Sequence, residues 1–140
     1  MPLSKIPGHV FKFVEGELYH LEENKKDLND LKEDIAASQL GNMEYDDMPK
    51  GSGGFHSSTE TATMDILSNK VAMRAERTIK CIEKALKRLD DEKLELFMMK
   101  YQQGKPWQQI TMDLNISKRT FFRWRKEVVE KVARELGMID

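Results

Sequence analysis

Apolar residues recur at helical spacing along most of this chain. From His9 to about Ser38 there is no proline, and Val14, Leu18, Leu21, Leu28, Leu31 and Ile35 fall on one stripe. That pattern predicts a long amphipathic helix, loosened near Gly16. Val14, Leu21, Leu28 and Ile35 have the seven-residue spacing of a coiled-coil seam, while Lys25 and Lys32 interrupt the second apolar row that a seam needs. A second long helix is expected from Ser57, which forms a capping box with Glu60, to about Arg88. Its buried face is read as Met64, Leu67, Val71, Ala75, Ile79, Ile82, Leu86 and Leu89, serving either as core or as a packing surface for a second subunit. Between the two helices, residues 41–58 (GNMEYDDMPKGSGGFHSS) mix Gly, Pro, Asp and Ser and read as a linker. The GSGG within it lacks the Gly-Lys-Ser/Thr ending and the preceding strand of a phosphate-binding loop, so it reads as a hinge.

Three shorter helices follow. Asp90 caps the first, whose inner face is expected to be Leu94, Phe97, Met98 and Tyr101. Gly104 ends it, and Pro106 suits the first turn of the next helix, which runs to Leu114 with Trp107, Ile110 and Leu114 inward. Asn115 tolerates the left-handed conformation of a tight turn, Ile116 can plug the space between helices, and Ser117 is a favoured N-cap. The last helix runs from Lys118 to about Leu136 and is expected to bury Phe121, Trp124, Val128, Val132 and Leu136. The fold class is therefore all-α: a long N-terminal helix (1–40), a linker (41–58) and a helical domain (59–140) ending in a helix-turn-helix at 106–136.

Charge sharpens this picture. The net charge is only −1, yet residues 1–60 carry 6 Lys+Arg against 12 Asp+Glu, and residues 105–140 carry 8 against 5. Such polarity is expected when one end faces phosphates and the other faces protein or solvent. Cys81 is the only cysteine, so no intramolecular disulfide can form, and His9, His20 and His56 lack the spacing of a zinc site. No apolar run approaches the length of a membrane span, and the start MPLSKIPGHVFKF lacks the apolar core of a secretion signal. A cytoplasmic protein without a metal, cofactor or small-molecule substrate is expected.

At 3.6 residues per turn, Lys118, Arg119, Phe122, Arg123 and Lys126 share an outward face of the last helix, with Arg125 beside them. From Ser117 to Lys126 there are five cations and no acid. Basic residues on a helix are usually only solvated. Here the capped turn, the short preceding helix, the aromatic underside and the acid-free face occur together, which points to insertion into a DNA major groove. The candidate DNA contacts are Ser117, Lys118, Arg119, Thr120, Phe122, Arg123, Arg125 and Lys126, with Trp107 and Gln108 from the preceding helix.

The stretch LDDEKLELFMMKYQQGKPWQQITMDLNISKRTFFRWRKEVVEKVARELG resembles the promoter-recognising C-terminal module, region 4, of bacterial sigma factors. From about Asp46 onward the chain is similar to the RinA and ArpU families of phage-encoded transcriptional regulators. The matching features are the stretch from Ser58 through Glu60 into a long helix, Leu89, Tyr101, the Trp107 to Ile110 turn, and SKRTFFRWRK from Ser117 to Lys126. The resemblance covers about two thirds of the chain, and the acidic front helix lies outside it. Thr111 stands where many helix-turn-helix proteins keep Ala, and Asn115 where they often keep Gly. The resemblance implies activation of late phage genes from DNA upstream of their promoters, together with host RNA polymerase, and a recognition face of Lys118, Arg119, Phe122, Arg123 and Lys126. Nothing resembles the sigma segments that bind the polymerase core or melt DNA.

The expectation is a homo-oligomeric, dimer-favouring transcription regulator that is not an enzyme, working at the nucleoid of a bacterial host. A phage small terminase subunit, which also joins a helix-turn-helix to an oligomerising helix, is the alternative. As for enzymes, the carboxylate pairs Glu22-Glu23, Asp46-Asp47 and Asp90-Asp91 are adjacent in sequence, so their side chains diverge on a helix and serve as caps or solvated charges. Cys81 next to an apolar face reads as a packed thiol rather than a nucleophile.

Overall fold

A computed structural model describes residues 6–46 and 54–140, with side chains described for 6–38 and 67–140. The described chain is all-helical: α1 (Gly8–Tyr19), α2 (Leu21–Asp46), α3 (Gly54–Lys87), α4 (Asp91–Phe97) continuing into a π-helix (Met98–Gln102), α5 (Trp107–Leu114) and α6 (Lys118–Glu135). Among the described residues, no helix is long and apolar enough to cross a membrane. The chain divides into two compact units, one joining Met1–Glu22 to Thr78–Asp140, the other Glu23–Arg77.

In the first unit, α6 is the element against which α1, α4 and α5 pack. Its apolar side is buried at Phe121 and again at Val128, Val129, Val132 and Ala133. Trp124 and Leu136, expected inside, are only half-buried, and Val129 and Ala133 take the deeper places. The inner side of α6 is therefore wider than a single stripe, as a helix with neighbours on several sides requires.

α4 differs from its expected register. Leu96 and Phe97 are the buried pair, Leu94 is half-buried, and Met98, expected on the inner face, is exposed. The reason is that α4 is enclosed from two directions. Leu96 joins Ile110 and Phe121 in one cluster, to which Met99, Trp107, Leu114, Ile116 and Trp124 add their edges. Phe97 instead faces Tyr101, with ring centroids 5.6 Å apart. The wider π turn that follows, closed by the Gln103 amide donating to the Met98 carbonyl at 2.9 Å, brings Tyr101 round beneath Phe97. Asp90 caps α4 by accepting from the Lys93 amide at 3.0 Å, and Lys93 in turn pairs with Glu127 of α6 at 2.8 Å.

α1 buries Val10, Val14 and Leu18, and Leu21 follows just after it. The expected single helix over 9–38 is interrupted, at His20 rather than near Gly16. Gly16 stays helical; the interruption follows Tyr19, which lies edge-on to Tyr101 with centroids 4.7 Å apart, and precedes buried Leu21. The last part of α3 is tied down by Ile79, Ile82 and Ala85, with Leu89 behind it, and by Glu135 of α6, which pairs with Arg88 and, at 3.9 Å, with Lys84.

In the second unit, Leu28, Leu31 and Ile35 of α2 are half-buried, and Lys32 pairs with Glu76 of α3 at 3.2 Å. The expected buried stripe of α3 is not kept here: Leu67 is 55% and Val71 58% exposed, while Ala72 is buried. α3 begins at Gly54, ahead of Ser57, and α2 extends to Asp46, so both ends of the expected linker are helical. Residues 47–53 and the side chains of the Ser57–Glu60 capping box lie outside the described residues.

Candidate nucleic-acid interface

The turn that launches α6 is built from backbone hydrogen bonds. Asn115 is the one non-glycine residue with positive φ among the described residues, at φ 54° and ψ 50°. Its amide donates to the Met112 carbonyl at 3.3 Å and that of Ile116 donates to Thr111 at 3.0 Å. Together these form a Schellman closure, with Ile116 folded onto the Leu96–Ile110–Phe121 cluster as its apolar contact. Thr111 resolves its hydroxyl locally by donating to the Gln108 carbonyl at 2.9 Å, so the helix pair accommodates it in place of a smaller residue. Ser117 then caps α6, its Oγ accepting from the Thr120 amide at 3.1 Å and bonding the Thr120 hydroxyl at 2.9 Å.

With its underside held by Phe121, α6 presents Lys118, Arg119, Phe122 and Arg123 to solvent together, and Lys126 continues the same face half-buried. Ser117 is exposed at the start of this face, and Thr120 is half-buried behind it. On α5, which precedes this face, Gln108 is exposed and Trp107 half-buried. Trp107 is in contact with the face through the Lys118 ammonium, 4.8 Å from its ring centroid, and through Phe122, with centroids 6.1 Å apart.

Arg125 has a different setting. Its guanidinium grips Glu15 of α1 with two bonds, Nε to Oε2 at 3.0 Å and Nη2 to Oε1 at 2.9 Å. It also lies 4.8 Å from the Phe11 ring centroid and 5.7 Å from that of Phe122. The Tyr101 hydroxyl donates to the same carboxylate at 2.7 Å, and Lys100 stands 3.9 Å from it. Burial by itself would push the Glu15 carboxyl upward. The hydrogen bonds from Arg125 and Tyr101 and the nearby Arg125 and Lys100 charges outweigh it and hold the carboxyl below its ordinary range. Burial, then the Glu15 carboxylate, drives the Tyr101 phenol far above its ordinary value, so it remains a donor. The hydrogen bond to Glu15, ahead of opposing desolvation, raises Arg125 in turn.

Of the ten residues proposed from sequence, seven lie on α6 or at its cap along or beside this face, Trp107 touches it, Gln108 is exposed on α5, and Arg125 has its charge committed inward. Sequence reasoning missed Phe11 and Glu15, and it placed Tyr101 on the inner face without the hydroxyl bond to Glu15 that helps commit Arg125. Glu15 and Arg125 are 110 positions apart, and no local pattern signals a pair at that distance.

No curated protein and no solved structure matches this chain. A family described as "Protein of unknown function (DUF722)" matches residues 31–134. With most of its length matched, including α5 and nearly all of α6, the chain belongs to the DUF722 family.

Proposed function

We propose that this protein binds double-stranded DNA in a sequence-specific way and regulates transcription. In this reading α4 with its π extension, α5 and α6 form a tri-helical helix-turn-helix unit of the sigma region 4 kind. α5 crosses the phosphate backbone and α6 enters the major groove through its first turns. The observation that carries the reading is the outward face of α6: Lys118, Arg119 and Arg123 stand exposed on a helix whose opposite side is locked by Phe121 and whose start is set by the Asn115 turn and the Ser117 cap. Fork-shaped guanidinium donors on a rigid, protruding helix suit guanine edges and phosphates. In the same reading the protein acts as a phage or prophage late-gene activator with host RNA polymerase, as a homo-oligomer, the role that the resemblance to RinA and ArpU regulators implies.

The reading is tested by selecting duplexes from a randomised pool with the full-length protein and measuring affinity against salt. Binding should weaken steeply as salt rises, because phosphate contacts release counterions. Arg119→Ala and Arg123→Ala should each cost about 1–3 kcal/mol of specific binding with the fold intact. Recovery of no preferred sequence, or unchanged affinity in both variants, would overturn it. Stimulation of a packaging ATPase in place of promoter-directed RNA synthesis would redirect it to the terminase class.

A further inference from the structure

Phe122 is an anomaly on an otherwise cationic surface. The residue is 38% exposed on the outward face, between Lys118 and Lys126 in helical position and beside Arg119 and Arg123. An aromatic ring so placed gives up burial that a polar residue would not need. It is also packed on three sides. Phe121 meets it edge-on with centroids 5.0 Å apart at 86°, Trp107 lies 6.1 Å away, and the Arg125 guanidinium stands 5.7 Å from its centroid. Arg125 is itself pinned by its two bonds to Glu15, so a cation that could have swung outward serves as a wall behind the ring. The result is an apolar surface, packed from behind, among long cationic donors.

In a major groove the base edges offer nitrogen and oxygen donors and acceptors at almost every position, and a single kind of apolar group, the C5-methyl of thymine. Resting on the proposed insertion of α6 into that groove, we infer that Phe122 is a specificity-determining residue that packs on a thymine methyl, within a site whose neighbouring bases or phosphates are reached by Arg119 and Arg123. The pinned Arg125 acts here as a positioning residue: it supports the ring and makes no base contact.

The experiment replaces each thymine of a duplex selected by the full-length protein with deoxyuridine, which deletes the methyl and leaves the pairing groups in place. For the wild-type protein at least one replacement should weaken binding about fourfold, the worth of one buried methyl. Phe122→Ala should bind the thymine and uracil duplexes equally, whereas Phe122→Leu, which keeps an apolar contact, should retain the preference. A cooperative melt and salt-dependent binding to an unselected duplex establish that each variant is folded. Should Phe122→Ala fail to fold, Phe122→Gln, of similar length but polar, carries the same expectation of indifference. A flat uracil scan for the wild type overturns the inference, as does a thymine preference that survives in a folded Phe122→Ala or Phe122→Gln variant. A chain that binds no duplex overturns the underlying reading of α6, while binding that depends on Arg119 and Arg123 but ignores the methyl overturns only the role given to Phe122.

Discussion

Along α6 the apolar side is buried at Phe121 and again at Val128, Val129, Val132 and Ala133, whereas in α3 the described residues before Thr78 leave Leu67 and Val71 in solvent and bury only Ala72. Both helices carry apolar residues at three-and-four spacing. What differs is the number of neighbours: α6 has α1, α4 and α5 packed against it. Periodicity shows that a helix has an apolar face, and only the surrounding elements decide how much of that face leaves water.

This contrast can be broken most decisively at Phe121, which is 2% exposed in the cluster shared by α4, α5 and α6. Phe121→Ala is expected to cost about 3–5 kcal/mol, through lost transfer energy and the cavity left behind, measured as a shift of the denaturant midpoint at constant slope. A loss under about 1 kcal/mol would mean that the cluster does not hold the unit together.

A smaller effect is expected at Glu15. Glu15→Gln removes the charge that Arg125 grips, and because the Arg125 and Glu15 side chains still keep 27% and 16% of their surface in water, the cost should be about 1–2 kcal/mol, below that of breaking a fully buried pair. The sign of the pH dependence follows from its lowered titration. The Glu15 contribution is intact above its ordinary value of 4.5 and is lost as the pH falls below that toward the depressed folded value. Denaturation across the acid range should therefore show a steeper loss of stability for the wild type than for Glu15→Gln. Parallel curves would show that the pair contributes nothing to folding.

The smallest effect belongs to the exposed part of α3. Val71→Ser should change stability by no more than about 0.5 kcal/mol in dilute solution, as for a surface substitution. A larger loss, or a drop in sedimenting mass, would show that a second subunit covers Leu67 and Val71.

Much of the local structure was legible because its causes are local. Gly104 with φ 68°, Asn115 with φ 54° and the Ser117 cap sit where turn and cap chemistry put them. The outward face of α6 was legible for a related reason, since Lys118, Arg119, Arg123 and Lys126, with no acid among them, gain nothing by entering an apolar core. Two things were not. The exchange of Met98 for Leu96 in the α4 core depends on a π turn and on packing from two sides. The commitment of Arg125 to Glu15 depends on α1 folding against α6, which no stretch of either helix announces.

The amino-acid order by itself determined where helices start and stop in the C-terminal region, which residues cap them, and that α6 has one greasy and one cationic side. Those features arise from backbone sterics and hydrogen bonds within a few residues of one another. Tertiary structure alone decided which of two neighbouring arginines reaches outward, which apolar residues of α3 and α4 are covered, and what packs behind Phe122. Each of these rests on contacts between segments far apart in the chain, whose strength depends on geometry and on the water excluded when the helices meet.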